Sequence, residues 1–241
     1  MDSNISRLAQ EFESRISQSF NIMQLHFLDV CVNADPVALM GVKVPDEGLD
    51  RNIEEVANVA KMDDRTFAFW ALEEGNSLDG VAEGVRKAHP EFIIETKGCR
   101  KSEGSDEIVP ILVATVPYVN KERRDVLVKA VGTYKDAFNT YVDVEANLTK
   151  VKMAPHLLEA TDKDKEAVEQ LFKDKAKQYK DMAEKAANDK IKKIEEAYQK
   201  WLEEKAASDS NLKDIAASSN PEAATSSSPS MDAGAWVRHI S

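Results

Sequence analysis

The chain has no long apolar run. Among its 241 residues no stretch approaches the roughly 18 consecutive apolar residues of a membrane span. It has only two cysteines, Cys31 and Cys99, with no spaced partners. That excludes a disulfide scaffold and a zinc knuckle and is consistent with a reducing compartment. The four histidines, His26, His89, His156 and His239, are scattered, and none has a second histidine four residues away. There is no glycine-rich phosphate loop and no G-x-S-x-G elbow. No metal site, no cofactor and no catalytic residue is read from the sequence.

An excess of positive charge is also missing. The formal net charge is −11, which argues against a whole-molecule attraction to nucleic acid. The acid is unevenly placed. Residues 1–118 carry 11 Lys/Arg against 21 Asp/Glu, residues 119–161 carry 7 against 6, and residues 162–205 carry 12 of each. A local basic face on the later segments therefore stays possible. The N-terminal stretch contains Asp2, Glu11 and Glu13 and reads as no clear targeting segment.

What is present is strong helical periodicity at both ends. Ile5, Leu8, Phe12, Ile16, Phe20, Met23, Phe27 and Val30 step by three or four and form one stripe, stopped at Asp35-Pro36. From Asn120, a good cap, Leu127, Val131, Tyr134, Phe138, Tyr141, Leu148 and Val151 form a second stripe, interrupted by Glu145 and ended by Pro155. A third runs over 162–205 through Val168, Phe172, Ala183, Ala187, Ile194 and Trp201, opened by the capping-box spacing of Thr161 and Asp164. Tyr179, Tyr198 and Trp201 sit at helical spacing and read as core rather than as base-stacking groups.

Residues 36–117 differ. "VALMGVKV", "IEEVANVAKM", "RTFAFWAL", "EFIIETK" and "EIVPILVATV" are short, β-branched or aromatic, and bounded by turn residues such as Pro45–Gly48 and Met62–Asp64. Asp63-Asp64 reads as turn chemistry, not as a catalytic carboxylate pair. "SLDGVAEGVRKA" makes a short helix capped by Asn76 or Ser77. The expected fold is α+β. Residues 1–33 and 118–205 build a three-helix bundle, residues 34–117 an inserted β/α/β domain, and the Ser/Ala/Pro-rich residues 206–241 a disordered tail. Two linkers cross between the domains. Asn33, Ala34, Asp35 and Pro36 with Pro117 and Tyr118 form a candidate hinge with few contacts to fix its angle.

The chain resembles the ribosome recycling factors. "DDRTF" matches their D-x-R-T-L turn, "EGSDEIVP" their G-x-x-I-R-V-P strand, "VNKERRDVLVK" their L-T-E-E-R-R-K-x-L-x-K helix start, and "NADPVAL" their G-R-A-S-P-x-L. "ANDKIKKIEEAYQKWLEEK" is similar to their closing helix, and the resemblance runs through residues 3–205 in order. It implies an L-shaped, monomeric, non-enzymatic factor. Such a factor binds the large ribosomal subunit through rRNA and ribosomal proteins and separates subunits with a translocase-type GTPase. It further implies rRNA contacts by Arg123, Arg124, Lys129, Lys150 and Lys152, and a mitochondrial setting, otherwise a cytoplasmic one.

The sequence departs from the family where its arginines cluster. The end of the first helix reads Leu28–Ala34 in place of K-I-R-T-G-R-A. Asn139, Asp143, Ala146 and Asn147 stand where the second helix carries a row of arginines. Arginine grips phosphate bidentately, so these losses remove much of an RNA-binding surface. Two alternatives stay open. Arg123 and Arg124 either touch RNA or pair internally with the acidic domain. The chain is either a recycling factor or a related module for protein binding or ribosome assembly.

Overall fold

A computed structural model describes residues 3–46, 48–72, 78–100, 106–158 and 160–218, with side chains to residue 210. The described residues up to Leu202 form one compact unit, and those from 203 to 218 belong to a second. Helix α1 spans Ser3–Asp29, α4 Lys121–Met153 and α5 Asp162–Ser218. Their stripes meet in one core: Phe12 packs edge-on against Phe172 at 5.2 Å, and Phe20 against Phe138 at 5.7 Å and Tyr179 at 6.1 Å. Aromatic pairs of this kind contribute beyond their buried area.

Between α1 and α4 lies the α/β insertion with a second core of its own around Leu39, Phe67, Phe69, Val85 and Leu112. Strands β3 (Ala57–Lys61), β4 (Thr66–Ala71), β6 (Ile108–Thr115) and β5 (Ile93–Arg100) form one antiparallel sheet in the order β3-β4-β6-β5. A hairpin of β1 (Lys43–Asp46) and β2 (Leu49–Asn52) stands apart, turning at Gly48, whose φ of 81° suits glycine. Helix α3 (Asp79–Ala88) lies against β1 so closely that a Cβ on Gly80 would stand 2.3 Å from the Pro45 carbonyl oxygen. One on Gly84 would stand 2.4 Å from that of Lys43. The "DGVAEG" spacing is thus a packing signature.

Several expectations are corrected. Residues 37–44 are not one strand: Pro36–Leu39 form a 3-10 turn on Asp35, whose carboxylate accepts from the Val37 amide at 3.1 Å, and β1 follows. Residues 53–62 divide into a one-turn helix, α2 (Ile53–Val56), and β3, while β2 went unread because "LDRN" has no apolar alternation. The proposed caps Asn76 and Ser77 lie outside the described residues.

On α4 the buried face shifts after Phe138 to Val142, Glu145, Thr149 and Met153, leaving Tyr141, Leu148 and Val151 exposed. Glu145 is therefore not an interruption but a core position. Its carboxylate is neutralised by Arg15, whose Nη1 donates to Oε1 at 2.7 Å. The tail does not begin at 206, because α5 continues to Ser218. Residues 203–218 hold four alanines and neither glycine nor proline, and the next proline is at 221. Residues 219–241, Trp236 and His239 among them, lie outside the described residues.

Candidate functional site: the interdomain joint and the faces of the rod

The start of α4 is fixed by Asn120, whose Oδ1 accepts from the Arg123 amide at 2.9 Å. This aims the Arg123 side chain back at the crossing of the two linkers. Its Nη2 donates to the Cys31 carbonyl at 2.8 Å and its Nη1 donates to the Pro117 carbonyl, one acceptor from each linker. Glu91 of the α/β domain stands 4.0 Å away. Only 13% of the Arg123 side chain is exposed, and burial lowers its pKa below the usual arginine value. Burial alone would raise the Glu91 carboxyl. Hydrogen bonds from His89 and from its own backbone amide, with a smaller contribution from the Arg123 charge, outweigh it and hold Glu91 below the ordinary range. His89 is itself buried, stacked 4.6 Å over Phe92.

Arg124 takes the other side. It donates to Asp125 at 2.7 Å, approaches Glu195 of α5 at 3.7 Å, and lies over the Tyr198 ring at 4.7 Å. Its side chain is 28% exposed. Arg123 thus ties the linkers together, and Arg124 binds α4 to α5. Of the pair, only Arg123 approaches the acidic α/β domain, through Glu91; Arg124 pairs with Asp125 and Glu195 of the helices and not with that domain.

The β3–β4 turn completes the joint. The Asp64 carbonyl accepts from the Ala34 amide at 2.8 Å, and the Arg65 carbonyl from the Val116 amide at 2.7 Å, so one turn holds both linkers. Arg65 donates to the Val116 carbonyl at 3.3 Å and lies 3.3 Å over the Tyr118 ring. The Asp64 carboxylate accepts from Lys61 at 2.9 Å and from Lys200 of α5 at 3.0 Å, and these two ammonium groups push its pKa down to about 2. The expectation of few contacts at Asn33–Pro36 and Pro117–Tyr118 is not met. Ala34 and Val116 are buried, and burial drives the neighbouring Cys31 thiol up to about 12.

Lys190 of α5 is partly buried beside this cluster, and burial lowers its pKa. Arg65 and Lys200 escaped the sequence reading, and Asp64 was read only as turn chemistry, not as part of a joint. The one available signal was the match of "DDRTF" to the family turn.

The remaining candidate residues do not gather. Lys129 and Lys152 are exposed, and Lys150 pairs with Glu169 at 3.4 Å. Lys150 and Arg123 are separated by about 40 Å along α4, at 1.5 Å per residue.

At the positions matched to the family's arginines, Asp143 accepts from Lys180 at 2.7 Å and Ala146 packs on the core. The Oδ1 of Asn139 is buried without a partner. Asp143, Asn147, Lys150, Phe172, Lys177 and Lys180 line an open groove of about 470 Å³ between α4 and α5. Its ammonium groups face carboxylates: Lys180 faces Asp143, Lys177 faces Asp181, and both Lys150 and Lys173 face Glu169. Among the described residues no group of three metal-ligating side chains converges, and no helix is long and apolar enough to cross a membrane.

Against known proteins the sequence matches no family model, and no curated protein sequence matches it. Solved structures do match. A solution structure of a ribosome recycling factor superposes with a TM-score of 0.62 at 14% identity, over 81% of this chain and 100% of that one. The fold is that of the ribosome recycling factors. A second match, at TM-score 0.50 and 19% identity, covers 79% of this chain and 98% of the other. It is the T. thermophilus ribosome recycling factor placed, with the E. coli elongation factor G, on the E. coli post-termination complex. The recycling-factor fold places the domain insertion where the sequence indicated, between the first and second long helices.

Proposed function

We propose that this protein is a non-enzymatic translation factor of the recycling-factor kind. It binds the large subunit of a post-termination ribosome and, with a translocase-type GTPase, promotes subunit separation. The observation that carries the reading is the fold: a helical rod with an α/β lobe inserted after its first helix, matched over four-fifths of the chain. No covalent step is involved. The factor acts by binding the separated or rotated state more tightly than the joined one. Arg123 and Arg124 hold the lobe to the rod and α4 to α5, and Lys129 and Lys152, both exposed, offer phosphate contacts. The setting we propose is mitochondrial, where protein surfaces replace RNA contacts.

The test is a gradient assay with post-termination ribosomes, the translocase and GTP. The expected result is a shift from joined particles to free subunits, together with cosedimentation of the protein with large subunits. Absence of cosedimentation at low salt overturns the reading.

A second reading has its own support in Asp143, Ala146 and Asn139. These replace matched arginines and are, respectively, paired, packed and partly buried. On that reading the chain is a protein-binding or ribosome-assembly module that keeps the fold without splitting ribosomes. It expects a stable protein partner in pull-downs and an unchanged gradient. The salt dependence of subunit binding separates the two, since phosphate contacts give a steep slope and protein contacts a shallow one.

A further inference from the structure

The groove between α4 and α5 belongs to this chain rather than to its fold. It opens because short side chains face each other, Ala146 and Asn147 on α4 and Ala176 on α5. Ala146 and Asn147 stand where the recycling-factor pattern places arginines, which are far longer. Beneath them lies Phe172, packed edge-on against Phe12 in the core of the rod. The floor is therefore apolar. The volume of about 470 Å³ falls within the range of ligand pockets, about 300–1,000 Å³.

The two ends of the groove differ. At one end Lys180 donates to both carboxylate oxygens of Asp143, each at 2.7 Å, so that pair is closed. At the other end Lys150 and Lys173 converge on a single oxygen, Oε1 of Glu169, at 3.4 and 3.2 Å. Two ammonium groups thus share one carboxylate and keep donors to spare. All three side chains are about half exposed, so exchanging Glu169 for another carboxylate costs little. With Lys177 and Asp181 on the wall, four cations meet three anions around the groove. That is a local excess of positive charge in a chain of net −11.

We propose that this groove docks an acidic peptide segment of a partner protein. A leucine or isoleucine side chain of the segment lies on the floor, and a carboxylate one or two residues away sits between Lys150 and Lys173. The spacing fits. Ala146 to Lys150 and Ala176 to Lys173 are each about one helical turn, or about 4.5–6 Å along the axis. An extended peptide rises about 3.3 Å per residue. RNA is the poorer fit: a phosphate backbone has no aliphatic group for the floor, and Asp143 and Asp181 add negative charge to the walls. The site gives the rod face a partner chemistry of its own and does not depend on ribosome splitting.

Fluorescence anisotropy of the purified full chain with labelled, end-blocked peptides tests it. The probe is an acidic nonapeptide with leucine at its centre and Asp or Glu elsewhere; the reference peptide has serine in place of leucine. The leucine peptide is expected to bind about ten-fold more tightly or better, since only it fills an apolar site. Lys150→Ala with Lys173→Ala is expected to weaken the leucine peptide by about ten-fold or more. Lys185→Ala with Lys192→Ala removes two exposed lysines of α5 outside the groove and is expected to weaken it by less than about two-fold. Asn147→Trp sets an indole over the floor from an exposed position and is expected to abolish the preference for leucine. Circular dichroism checks that each variant keeps the fold.

No binding of the leucine peptide by about 500 μM chain at low salt overturns the proposal. So does equal binding of the two peptides, an equal loss in the two lysine pairs, or a preference for leucine that survives Asn147→Trp. An oligouridine that binds more tightly than the leucine peptide, and loses that affinity in Lys150→Ala with Lys173→Ala, assigns the groove to RNA and also overturns it. No ribosome enters the measurement, so its outcome and that of the gradient assay are separate.

Discussion

The two ends of α4 use cations differently. At its start, Arg123 is buried and donates to backbone carbonyls. Further along, Lys135, Lys150 and the Asp143–Lys180 pair meet their partners in solvent. The chemistry is nominally the same, positive charge answering negative, but the alternatives differ. A carbonyl stranded in the joint by loss of Arg123 cannot turn to water, so the cost falls on the protein. A carboxylate released on the open seam is hydrated at once. Charge count along the helix therefore says little about which residue holds the molecule together; burial and the nature of the acceptor decide it.

The comparison breaks most readily at Arg123. Arg123→Ala is expected to cost about 2–4 kcal/mol, since it orphans two carbonyls and leaves Glu91 facing a cavity. Lysine does not rescue it, because one ammonium cannot span both linkers as a planar fork does. Urea melts of wild type, Arg123→Ala and Arg123→Lys check this, and equal stability of the lysine variant would refute the two-acceptor geometry. Arg15 is the same experiment within the rod. Arg15→Ala leaves the Glu145 carboxylate buried and unpaired and is expected to cost about 2–3 kcal/mol, whereas Arg15→Ala with Glu145→Leu recovers most of that loss. A double variant as unstable as the single would show that the pair is not the unit.

How much of this was legible follows from the same contrast. The three stripes, the site of insertion and the sheet depend on apolar periodicity, which a sequence displays directly. Tyr141, Leu148 and Val151 were misplaced because α4 carries two apolar faces, and periodicity cannot say which one meets α1 and α5. Glu145 looked like an interruption because its partner, Arg15, is 130 residues away. The joint was the least visible part. Arg65, Asp64 and Lys200 converge only through the fold, and the bonds to Ala34 and Val116 are made by backbone atoms that no residue type announces.

A smaller effect is expected at Asp64, and it depends on pH. Its folded-state pKa lies near 2, below the ordinary 3.8. A depressed carboxylate stabilises above its unfolded value and loses that contribution as pH falls through the folded one. Wild type should thus exceed Asp64→Asn in melting temperature at pH 5, and the two should converge as pH approaches 2. The carboxylate is solvent-exposed, so the gap is modest and shrinks in high salt. A gap that persists unchanged at the acid end would assign the difference to the turn backbone rather than to Lys61 and Lys200.

The smallest effect belongs to the seam. Lys180→Ala frees Asp143 on an open surface and is expected to change stability by less than about 0.5 kcal/mol. The same position sharpens the functional contrast. Asp143→Arg removes the pair and restores positive charge where the recycling-factor pattern has it, at a similarly small cost in stability. If the rod face meets RNA phosphate, this variant should bind large subunits more tightly at low salt, with a steeper fall as salt rises, by about one further counterion. Unchanged affinity and slope would mean that the seam faces protein or solvent. The contact with the ribosome would then have to be sought at Lys129, at Lys152 or on the α/β domain.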